Sequence, residues 1–84
     1  MRQEIDVLAI FDAGVQTPRP IRFKMLEQGI KTTVRISEIQ NTEWIGAGGM
    51  MHIEYECATV NDGRRIKYKL LFFPRDCRWE IDSD

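Results

Sequence analysis

Residues 51–73, MHIEYECATVNDGRRIKYKLLFF, decide the fold. Two runs rich in branched and aromatic residues flank Asn61-Asp62-Gly63-Arg64. Asp-Gly enters a two-residue type I′ loop at little steric cost, because both loop positions need positive φ. With Asp62 and Gly63 as the loop, Asn61 faces Arg64 and the register follows. Thr59 then faces Ile66, Cys57 faces Tyr68, Tyr55 faces Leu70 and Ile53 faces Phe72 on one side of the ribbon. The other side pairs Val60 with Arg65, Ala58 with Lys67, Glu56 with Lys69 and Glu54 with Leu71. One register separates an apolar face from a charged one, and a slip of one residue would turn the apolar set outward.

Outward from this hairpin, Pro74-Arg75-Asp76-Cys77 makes a second turn, and Arg78 to Asp82 returns as the last strand with Phe72 facing Trp79, Leu70 facing Ile81 and Lys69 facing Asp82. Upstream, residues 21–25 and 30–36 alternate apolar with polar. A loop at Gln28-Gly29 pairs Met25 with Thr32, Phe23 with Val34 and Ile21 with Ile36. Residues 16–20, with prolines at 18 and 20, read as a connector because proline removes backbone donors. Ile5 to Phe11 is apolar on both sides; a doubly buried strand and the start of a short helix both fit, and the turn residues Asp12-Ala13-Gly14 favour the strand. Residues 40–49, QNTEWIGAGG, have no period and are expected to form an irregular loop.

The expected fold is therefore all-β: an antiparallel six-stranded meander curled into a small, partly open barrel, since an open sheet of that size leaves two sticky edges. Residues 1–84 form one β domain, with 1–19 as an N-terminal strand and connector and 20–82 as the barrel core. Its core is predicted to be Ile21, Phe23, Val34, Ile36, Ile53, Tyr55, Cys57, Ile66, Tyr68, Leu70, Phe72, Trp79 and Ile81. Eighty-four residues, 43% hydrophobic, support one such core. Cys57 and Cys77 lie too far apart in this register for a disulfide, so free thiols and a reducing compartment are expected. The N-terminal run lacks the features of a secretory signal and is too short to cross a bilayer. A cytoplasmic protein is the expectation.

A net charge of −1 gives no global attraction to nucleic acid or to an anionic membrane, which leaves local patches to decide. The outward cations Arg22, Lys24, Arg35, Arg65 and Lys67 are candidate nucleic-acid contacts, although Glu54, Glu56, Glu80 and Asp82 dilute their field. His52 is the only histidine and falls on the charged face, where it is expected to be exposed. Cys57 has neither a base nor a cation beside it. Gly46 to Gly49 opens no helix and is followed by no Lys-Ser or Lys-Thr pair, unlike a phosphate loop. No acid, base, nucleophile or metal-ligand set converges, so no enzyme and no cofactor are expected.

Two features point to a partner instead. Trp44 and Ile45 sit in the expected loop, where an indole either plugs the barrel end, the preferred reading, or anchors a partner. Leu71 and Phe73 fall on the charged face and need a cover, from the strand at Ile5 to Phe11 or from a second copy of the chain.

The segments IDVLAIFDAG, PRPIRFKM, the long hairpin and the closing RWEI resemble a family of small single-domain bacterial proteins of unknown function. The resemblance implies a small SH3-like β-barrel in a bacterial cytoplasm and carries no activity. The expected function is a non-enzymatic interaction or self-association module, with an unidentified protein or a second copy as partner and no membrane role. Nucleic-acid binding stands second, and a small-ligand site at residues 40–49 third.

Overall fold

The structure, a computed structural model, describes residues 1–48 and 51–83. Seven strands form one antiparallel sheet: β1 (Arg2–Ile10), β2 (Arg19–Glu27), β3 (Ile30–Arg35), β4 (Glu38–Ile45), β5 (His52–Asn61), β6 (Arg64–Phe73) and β7 (Arg78–Asp82). Their order is β3-β2-β1-β7-β6-β5-β4. Two meanders, β1–β2–β3 and β4–β5–β6–β7, are joined along β1. Residues Arg2 to Ile5 of that strand pair with β7, and Asp6 to Ile10 pair with β2.

The all-β class and the hairpin registers are as the sequence predicts. All nine expected pairs of the β5–β6 ribbon are present. Asp62 and Gly63 have φ of 52° and 76°, the geometry a type I′ loop requires, and Gln28 and Gly29 repeat it at 51° and 79° between β2 and β3. The strand count is corrected from six to seven, because residues 40–45 belong to β4 rather than to a loop. Gly49, the last residue of that expected loop, lies outside the described residues. Pro20 lies inside β2 rather than in the connector. It is tolerated there because the β1–β2 register shifts between Leu8 and Ala9, beside the missing donor.

The sheet does not close. Its two edges, β3 and β4, are joined only by Ile36 and Ser37, where the chain changes sheet partner. The Ile36 N–H donates to the Ile21 carbonyl on β2, and the Ser37 N–H donates to the Ala58 carbonyl on β5. This corner folds the three-stranded part over the five-stranded part.

Ile5, Phe23, Ile53, Tyr55, Cys57, Leu70, Phe72, Trp79 and Ile81 fill the space between them. Trp79 stacks obliquely on Tyr55 and Phe72 at 5.4 and 4.7 Å, and Phe23 meets Tyr68 edge-to-face at 5.3 Å across the two layers. Three expectations about the core change. Ile5 joins it from β1, Ile66 leaves it, 41% exposed near the hairpin tip, and Ile21 is only half-buried and outside the cluster, while Pro20 beside it is buried.

Candidate functional site

The outer face of the five-stranded part carries the residues whose cover the sequence left open. Leu71 is only 1% exposed, yet it points away from the main core. It is shielded within the chain, but not by Ile5 to Phe11 laid across it, because β1 lies in the plane of the sheet beside β7. Its cross-strand neighbours are Glu54 and Glu80, each held in ion pairs. Glu54 takes His52 Nε2 at 3.0 Å and Lys69 Nζ at 3.6 Å; Glu80 takes Arg78 Nε at 3.0 Å and Arg2 at 3.9 Å. Long side chains tied down in this way shield apolar surface with their aliphatic stems. Phe73 is sandwiched, with the His52 ring at 5.1 Å and the Arg78 guanidinium at 4.5 Å. His52 is thereby buried rather than exposed, a correction to the parity argument, which assigns a face but not the height of the side chains around it.

The thiols and histidine do not converge. Cys57 is buried and Cys77 exposed, and both are free. Burial pushes the Cys57 thiol up to about 12, so it is not a thiolate nucleophile near neutral pH. Tyr55 is raised too, first by burial and then by the neighbouring Cys57, and its hydroxyl donates to the Pro18 carbonyl. Among the described residues no group of three or more His, Cys, Asp or Glu is placed to hold a metal ion. A cleft of about 480 Å³ lies between Met25, Tyr68 and Ile81; of residues 40–48 only Gln40 borders it.

Trp44 and Ile45 end the edge strand β4. The register shift at Gln40 places Ile39, Thr42 and Trp44 opposite the core residues Cys57, Tyr55 and Ile53, so these three share the inner face. Trp44 is not a buried plug, being 43% exposed at the rim of the row Trp44-Ile53-Phe72-Trp79. At the same end Phe11 is exposed while its ring lies 6.3 Å from that of Phe72.

The five candidate cations divide between the two layers. Arg65 and Lys67 lie on β6, and Arg65 is ion-paired to Glu38. Arg22, Lys24 and Arg35 share the outer face of the three-stranded part with Lys31, which sequence reasoning left outside the candidate set. Arg22 stands directly opposite Arg35. Among the described residues Arg22, Lys24 and Arg35 have no ion-pair partner, and Asp6 bonds Lys31 at 3.4 Å. Leu8 and Leu26, each 51% exposed, lie among these cations. The inner side of β3 borders a groove of about 420 Å³ with Thr32, Val34, Ile66 and Tyr68 along it and Glu27 at one end. The pairings needed to collect this face run through β1–β2 and β2–β3 together, which no single hairpin signal contains.

No family model, curated protein or solved structure matches the chain. No helix among the described residues is long and apolar enough to cross a membrane.

Proposed function

We propose that the chain is a non-enzymatic interaction module and that its contact is the β4 edge. The observation that carries this reading is Trp44, a half-exposed indole on a strand whose outer side has no neighbour in the sheet. A free strand edge offers a row of backbone donors and acceptors, and an aromatic anchor beside it supplies contact area and specificity. The burial of Cys57, which keeps its thiol protonated near neutral pH, supports the non-enzymatic part, and the two free thiols support a reducing, cytoplasmic setting.

A second copy is the simplest occupant. Antiparallel pairing of β4 with itself about Thr42 sets Glu43 against Asn41 rather than against a like charge, and brings each Trp44 toward the Ile39 end of the other strand. Sedimentation velocity over a concentration series tests this. The mass should rise toward twice the monomer value, and Trp44→Ala should keep the chain monomeric with an unchanged circular dichroism spectrum. A monomer at every concentration, unaffected by Trp44→Ala, would overturn self-association.

A further inference from the structure

Directly opposed like charges destabilise a strand pair unless something else neutralises them. Arg22 and Arg35 are such a pair, and with Lys24 and Lys31 they gather four cations on one three-stranded face, against Asp6 and, at the border of that face, Glu4. The chain as a whole has a net charge of −1, so this face is a local concentration and not a reflection of composition.

The face adjoins the second free edge of the sheet. Along β3, Lys31, Thr33 and Arg35 point outward at every second residue, about 7 Å apart, while Thr32 and Val34 point inward. The inward side opens onto the groove walled by Ile66 and Tyr68. A strand laid along β3 would therefore meet cations on one side and a partly apolar trough on the other.

We infer that β3 is a strand-addition site for an extended acidic segment of a partner protein, with carboxylates at alternate positions facing Lys31 and Arg35 and apolar residues between them facing Val34, Ile66 and Tyr68. Backbone hydrogen bonds to the free edge supply affinity, and the alternation supplies specificity. Arg22, behind Arg35, lets an incoming carboxylate be shared between two guanidinium groups and relieves their repulsion. The exposed apolar residues of the face are Leu8, Ile10 and Leu26, with no aromatic among them. Single-stranded nucleic acid, which is held largely by base stacking on aromatic rings, is the poorer fit. This site is separate from the β4 contact, on the opposite edge of the sheet.

The test uses the full chain in its Trp44→Ala form, so that binding at β3 is read apart from any association at β4. Three fluorescent probes are compared at low salt: an octapeptide alternating Glu with Val or Leu, an isomer of it with all acids in one block, and a single-stranded oligonucleotide. Anisotropy should show the alternating peptide binding best, more weakly as salt rises. Amide shifts should concentrate at residues 30–35 and around Ile66. Charge reversal at both Arg22→Glu and Arg35→Glu should weaken binding by roughly tenfold or more, whereas Lys67→Glu, on the other layer, should leave it unchanged. Equal binding of the block isomer, preference for the oligonucleotide, or shifts away from β3 would each overturn the inference.

Discussion

Cys57 lies fully buried on β5 with its thiol pushed up to about 12, whereas in an unfolded chain a cysteine ionises near pH ~8.5. The unfolded state therefore loses this proton first. Its contribution to stability is complete below about pH 8.5 and is lost as the pH climbs toward the folded value. Tyr55, raised by the same burial, acts in the same direction. In urea titrations across the alkaline range, Cys57→Ala should flatten the fall of the midpoint with pH, though not abolish it. In the native state a thiol reagent should titrate Cys77 alone, and in urea both cysteines. The inert, buried character of Cys57 was legible from its alternation with Tyr55 and Thr59. The burial of His52 was not, because it depends on Phe73, Arg78 and Glu54 rising around it from three strands.

Among the elements, turn chemistry carried the most information. Gly63 sits at φ 76° with nothing near the position a Cβ would occupy. Gly63→Ala should therefore cost about 1 kcal/mol through backbone strain alone, seen as a lower urea midpoint with an unchanged slope. A much larger loss would mean that the ribbon had lost its register. The same reasoning located the Gln28-Gly29 turn, so two hairpins could be written residue by residue from local signals. β4 could not. Its inward residues Ile39, Thr42 and Trp44 are out of step by one position because Gln40 is an extra residue against β5, and an alternation broken by a bulge looks like a loop. Skipping Gln40 restores the period.

At the scale of the molecule, what remained illegible was which faces come together. The cations were visible singly in the sequence, but only the β3-β2-β1 order gathers Arg22, Lys24, Lys31 and Arg35 while sending Arg65 and Lys67 elsewhere. Leu71 looked unpartnered for the same reason, since its shield comes from β1, β5 and β7 at once. The two layers are also tied by a hydrogen bond that no pattern foretold, from Tyr55 at the centre of β5 to the buried Pro18 carbonyl just before β2. Tyr55→Phe would leave that carbonyl without its partner, at a cost of about 1–3 kcal/mol. Amide exchange should quicken in residues 11–18 more than in the β5–β6 ribbon. Uniform acceleration would instead mean that the tether stabilises the whole fold and not the connector.

The division of β1 between β7 and β2 has a consequence in time. As the chain grows from its N-terminus, the Asp6 to Ile10 half of β1 can find β2 within the next few residues, but Ile5 must wait for Trp79. Contacts that distant in sequence are the slow ones to form, because so much chain must be ordered before they repay its entropy. Until then the first half of β1 is a strand with an open edge and a buried-type side chain exposed, the condition in which nascent β proteins are most open to mispairing. Glu4 and Asp6 flank Ile5, with Arg2 on the same stretch, and charges at such an edge are what keep an unfinished sheet from finding the wrong neighbour.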